Sequence, residues 1–293
     1  PDLIFLDTAA SALKPYDMID VMNNCYSYEY ANVHRGLYSL SSKLTKKFED
    51  ARVKVSNFIS SKSYENIIFT KSATEGINLV VEKFSEKYLR EGDEVIIFDP
   101  SFVMYKHLVN FSGGKPVMVD TYPDFRIDLK RVQNALSDRT KCIITNSPAN
   151  PTGAVTSVDE TQGLAKLAQD AGVALISDEV YRWFCYDQPF CSPAQWNEES
   201  IVIDGFSKSW GMTGWRVGFV HGPSRIIQEM IKLQQFSFVC APQPMQWAGV
   251  TAWQTDISDY VQDYRRKRDM MVKALEGDYD IPRHDGAFYL FPR

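Results

Sequence analysis

Short, almost wholly apolar runs recur along the chain, each bounded by turn residues and separated by segments of helical periodicity. They are Asn66–Thr70, Glu94–Asp99, Lys115–Asp120, Cys142–Asn146, Val173–Asp178, Ile201–Phe206 and Arg216–His221. Strands buried on both faces read this way, because neither side meets water. Between them, Leu40, Leu44 and Phe48 recur at helical spacing, and Ala51, Val55 and Phe58 continue the stripe. Gly76–Arg90, Leu129–Leu136, Thr161–Ala171, Ile226–Gln235 and Ile257–Leu275 read as further helices, with Gly92 and Gly172 as stops. Strands alternating with helices predict an α/β fold: a mainly parallel seven-stranded sheet between helical layers. Ligands of such sheets gather at the carboxyl ends of the strands. Residues just after each strand are therefore where chemistry is expected.

Composition limits the alternatives. With 293 residues, 44% hydrophobic and 24% charged, the chain can bury a sizeable core, and disorder, collagen and coiled coil are excluded. The net charge is −5 and no Lys/Arg stripe stands out, so nucleic acid is not an expected partner. No apolar run reaches the roughly 18 residues of a membrane span. The five cysteines are scattered without CxxC spacing, which predicts reduced thiols in a cytoplasm and no zinc site. The opening residues carry no export signal, and a start at Pro1 instead of Met predicts residues before it.

Four segments follow predicted strands. Thr70-Lys-Ser-Ala-Thr-Glu-Gly76 sits at a helix start and offers backbone N–H groups and hydroxyls to a phosphate. Taken alone it reads first as an N-cap, with Ser72 or Thr74 capping and Glu75 in the first turn. Asn146-Ser-Pro-Ala-Asn-Pro-Thr-Gly153 could be a mere turn, and Ser177-Asp-Glu-Val-Tyr181 a solvated loop. Gly205-Phe-Ser-Lys-Ser-Trp-Gly-Met-Thr-Gly-Trp-Arg-Val-Gly218 puts Lys208 just past a buried strand, where a lysine can lose its proton and attack a carbonyl. Arg216 could clamp a phosphate bidentately. The plain reading of Lys208 is an exposed loop lysine. Together the segments ask for a ligand with a phosphate, a reactive carbonyl and a basic ring nitrogen, and pyridoxal 5′-phosphate has all three.

On NSPANPTG, SDEVY, FSKSWGMTGWRVG and the terminal GAFYLFP, the chain from about Glu91 to Arg293 resembles class I/II, aspartate-aminotransferase-like members of the fold-type I pyridoxal-phosphate enzymes. The resemblance implies that Lys208 forms an aldimine with the cofactor and later moves the substrate proton. By the same resemblance Asp178 pairs with the ring nitrogen, and Asn150 and Tyr181 bond its 3′ oxygen. Arg216, with Ser207, would hold the phosphate, alongside Ser72, Ala73 and Thr74. Phe102 would stack on the ring, its other reading being a core aromatic. The implied substrates are an amino acid and a 2-oxo acid, the implied assembly a homodimer to which Tyr26–Tyr38 could contribute. A large domain is expected over 39–255, with a smaller, incomplete α/β domain from 1–38 and 256–293.

Phe5–Pro15, Ala31–Gly36 and Ser72–Leu79 instead resemble the class V branch, the cysteine desulfurases, so the chain reads as a hybrid changing near Lys87. The arginine that binds the substrate carboxylate in class I lies beyond Arg293, and Arg293 is not at its motif position. The desulfurase ring-stacking histidine has no match, because Phe102 occupies its region. The expected activity is transamination. The alternatives are a desulfurase or lyase using the same cofactor, with Cys240 the cysteine to watch, and a cofactor-binding, weakly active chimera.

Overall fold

The computed structural model describes residues 12–34 and 36–293. Most of the expected class V-like motif Phe5–Pro15 lies outside the described residues. The strands are β1 (Ile67–Thr70), β2 (Glu94–Asp99), β3 (Lys115–Asp120), β4 (Thr140–Asn146), β5 (Ala174–Asp178), β6 (Ile201–Gly205) and β7 (Gly218–His221). They form a seven-stranded, mostly parallel sheet in the order β1-β7-β6-β5-β4-β2-β3, as the alternating pattern predicts. By contacts the chain divides into two compact units, 1–79 with 204–257 and 80–203 with 258–293. These boundaries differ from the expected 39–255.

In the second unit β2 pairs in parallel with β3 and β4, β4 with β5, and β5 with Ile201–Ile203 of β6. Ile96, Phe98, Val119, Ile143 and Leu175 from the strands close a core with Leu164, Ala165 and Ala168 of helix α6 (Val158–Asp170). Helix numbering runs in chain order from α1 (Tyr16–Tyr28) and α2 (Ser39–Phe58), through α3 (Ala73–Tyr88), α4 (Met104–Phe111) and α5 (Leu129–Ala135). Burying each of the core's Ile, Val, Leu and Phe side chains contributes about 1.5–3 kcal/mol. A capping box begins α6: the Ser157 hydroxyl accepts the Glu160 N–H at 3.2 Å, and Glu160 Oε2 accepts the Ser157 N–H at 2.7 Å. The box starts the helix before the expected Thr161.

In the first unit β1 and β7 pair antiparallel. Helices α7 (Ser224–Ser237) and α8 (Gln243–Ala252) belong here, and α9 (Ser258–Leu275) to the other unit. Met18 of α1 and Leu44 of α2 are fully buried, as are Phe206 and Phe219. Phe58 stacks on Trp253 at 4.1 Å, and Gly249 of α8 lies against the Phe206 ring. Arg216 corrects the expected strand start: its φ of +52° is left-handed, so β7 begins only at Gly218.

Candidate active site

Strand β5 delivers Asp178 at its carboxyl end, where the side chain is buried. Its Oδ2 accepts the Tyr105 hydroxyl at 2.7 Å and its Oδ1 the Val180 N–H at 3.3 Å. Its carbonyl accepts Asn146 Nδ2 at 3.0 Å and the Ser147 N–H at 3.2 Å. Burial pushes the carboxyl up to about 6, against the pull of the Tyr105 and Val180 bonds. Tyr105, on α4, escaped the sequence reading, and the only available signal was its place three residues after Phe102. Phe102 is half-buried, its ring edge-on to Tyr105 at 5.7 Å.

The segment after β4 folds back on the same corner. Asn146 Oδ1 accepts the Asn150 N–H at 2.8 Å. Against the larger push of burial, the Asn150 side chain lowers the pKa of the Tyr181 phenol. Tyr181 is buried, and its hydroxyl lies 2.6 Å from the Tyr289 hydroxyl. Burial, then the Tyr289 bond, pushes the pKa of the Tyr181 phenol well above the ordinary range. Pro100, Ser101, Tyr105, Asn146, Ala149 and Asn150 line a recess beyond the ends of β2 and β4. So Asp178, Asn150 and Tyr181 are brought together in one unit, with Phe102 against Tyr105.

The other unit carries the remaining candidates. Helix α3 starts directly after β1, and Ser72 turns the chain into it at φ +93°. Ser72 is buried and its hydroxyl accepts the Glu75 N–H at 3.4 Å, while Glu75 Oε2 accepts the Lys71 N–H at 2.9 Å. The capping reading of Ser72 therefore holds geometrically. It leaves Ala73 and an exposed Thr74 in the first turn, where N–H groups lack helical partners. Gly218 makes this close packing possible: a Cβ there would stand 2.7 Å from the Ala73 nitrogen and 2.8 Å from the Ser72 carbonyl carbon. In the same unit Ser207 and Lys208 are half-buried, and Lys208's ammonium is made more acidic by burial and by the Arg216 charge. Ser209 Oγ is buried without a hydrogen-bond partner among the described residues. Arg216 is exposed and its Nη1 donates to the Thr213 carbonyl at 2.7 Å.

These features fit pyridoxal phosphate. Asp178 is a buried carboxylate whose hydrogen-bond donors are a phenol and a backbone amide, so a protonated ring nitrogen would complete it. The α3 start over Gly218 suits a phosphate. Ser209 Oγ, next to Lys208 in the chain, has bonding capacity to spare.

The fold is an α/β architecture on a seven-stranded, mostly parallel sheet with polar clusters at its strand ends. The profile described as "Aminotransferase class I and II" matches residues 29–293, and the chain belongs to that family. It is 38% identical over 237 residues to the probable aspartate aminotransferase of Methanocaldococcus jannaschii, covering 78% of this chain and 62% of that protein. It is 34% identical over 260 residues to the aspartate aminotransferase of Sulfolobus acidocaldarius, covering 83% and 64%. The chain thus spans just under two thirds of the length of these relatives. The structure of Thermus thermophilus aspartate aminotransferase with maleate superposes with a TM-score of 0.85 at 28% identity, over 96% of this chain and 75% of that one. The hybrid reading finds no support, because residues 29–87 fall inside the class I and II match. Among the described residues no helix is long and apolar enough to cross a membrane, and no metal-binding group of His, Cys, Asp and Glu occurs.

Proposed function

We propose that this chain binds pyridoxal 5′-phosphate and moves an amino group from an amino acid to a 2-oxo acid. The observation that carries the reading is Asp178: a buried carboxylate at a strand end, held by neutral donors and raised to about 6, matched to a cationic ring nitrogen. Bound pyridoxal phosphate supplies a carbonyl that takes up amino groups and a ring that accepts the electron pair left when a substrate Cα–H bond breaks.

The protein's own residues do the rest. Ser72, Ala73 and Thr74 offer the helix start to the phosphate, and Arg216 with Ser207 adds charge and a hydroxyl. Asp178 keeps the ring nitrogen protonated, and Tyr105 orients Asp178. Asn150 and Tyr181 hold the 3′ oxygen, and Phe102 covers the ring face. Lys208 supplies the amine for the carbonyl, and its raised acidity leaves more of it unprotonated near neutral pH. It then carries the proton between the substrate carbon and the cofactor.

The class I and II family match and the aspartate aminotransferase relatives support this reading. The homodimer expected from the resemblance belongs to the same proposal, supported by the exposure of Tyr26, Tyr28, Tyr30 and Tyr38, and light scattering reads it directly. The activity test is spectral. Cofactor-loaded protein should show a visible band that an amino-acid donor bleaches and a 2-oxo acid restores. A band that no amino acid changes contradicts the proposal.

A further inference from the structure

Tyr289 reaches Tyr181 from the far end of the sequence. The two hydroxyl oxygens are 2.6 Å apart, and the rings meet edge-to-face at 5.5 Å. The Tyr289 backbone is fixed as well: a Cβ at Gly153 would stand 2.5 Å from the Tyr289 carbonyl oxygen. The neighbouring residues are latched on: the Ala287 N–H donates to the Phe184 carbonyl at 2.8 Å, and the Gly286 N–H to the Gly153 carbonyl at 2.8 Å. Phe288 adds a second edge-to-face contact to Tyr181 at 5.2 Å. The Tyr289 hydroxyl is therefore held against Tyr181 by backbone bonds of its segment to Gly153, at the end of the NPTG turn, and to Phe184, three residues past Tyr181.

A phenol has one proton to donate. If Tyr181 spent its proton on Tyr289, none would remain for a ligand oxygen. If Tyr289 donates instead, the Tyr181 proton is released toward the ligand, and each bond in the chain strengthens the next.

We propose that Tyr289 is a positioning residue that donates its hydroxyl proton to Tyr181 and so aims the Tyr181 proton at the 3′ oxygen of the cofactor. This rests on the cofactor reading above. A donor at the 3′ oxygen favours the state in which that oxygen carries the negative charge alone. It therefore lowers the pH at which the nitrogen linking Lys208 to the cofactor loses its proton. Losing the donor raises that midpoint.

The test is a pH titration of the cofactor's absorbance in the full chain, for the wild type, Tyr289→Phe, Tyr181→Phe and the double variant. Phenylalanine keeps both ring contacts, and thermal melts of each variant report folding separately. Tyr181→Phe should raise the midpoint by roughly one to two units, as expected for one bond to a charged acceptor. Tyr289→Phe should raise it by about half a unit, the share of a strengthening bond. In the Tyr181→Phe background the Tyr289 change should add nothing. An unmoved midpoint in Tyr289→Phe, or an equal shift with and without Tyr181, overturns the proposal. A wild type with no pH-dependent cofactor band removes the cofactor reading itself, a separate and recognisable outcome.

Discussion

Asp178 ends a strand buried along its last four residues, so water cannot share its charge. The folded, cofactor-free chain holds a proton on this carboxyl up to about 6, whereas an ordinary aspartate releases it near 3.8. The folded state thus binds the proton more tightly. The stability this site contributes is complete below about pH 4 and falls by about 3 kcal/mol as pH rises through about 6. Asp178→Asn cannot titrate. In urea denaturation of cofactor-free protein, wild-type stability relative to the variant should decline between about pH 4 and pH 7. A difference that stays flat, or grows with pH, contradicts the buried, cation-seeking carboxylate. Asp178, Lys208 and Tyr181 stood out as candidates because short motifs carry them. Tyr105 and Tyr289 were not, since their partners lie 73 and 108 residues away in sequence and no local pattern encodes such pairs.

At the scale of elements, the parallel strands declared themselves because full burial leaves them apolar throughout. Of the helices that the periodicity did not mark, α8 lacks a one-sided stripe. Helix α8 is buried on nearly every side, with Gln246 and Trp247 as enclosed as Val250. Helix α1 buries only Met18 and Cys25, and exposes Tyr16, Tyr26 and Tyr28. Arg216 shows the opposite limit: apolar neighbours suggested a strand, and only the backbone reveals the left-handed turn. The contact between α3 and β7 gives a prediction of its own. Gly218→Ala would force a carbon against the Ala73 and Ser72 backbone, which cannot swing aside. It should destabilise the chain by about 1–3 kcal/mol in thermal melts, and weaken cofactor binding by about tenfold or more in fluorescence titration. Gly277→Ala meets nothing within 4 Å and should stay within about 0.5 kcal/mol of wild type. Equal effects of the two changes would remove the close approach from the account.

At the scale of the whole molecule, the residues of the proposed site fall into two sets, one within each compact unit. Ser72, Ala73, Thr74, Ser207, Lys208 and Arg216 come from one; Phe102, Tyr105, Asn150, Asp178, Tyr181 and Tyr289 come from the other. The chain order interleaves them, which is why four separate motifs were needed to read a single ligand. The family match spans both sets. The proposed function requires a covalent role for Lys208, and borohydride reduction of the pyridoxal-phosphate-loaded chain, followed by peptide mass spectrometry, tests it directly. The cofactor should be fixed to the peptide containing Lys208, and Lys208→Ala should retain none there. Fixation on another lysine in the wild type, or undiminished fixation in Lys208→Ala, would contradict it.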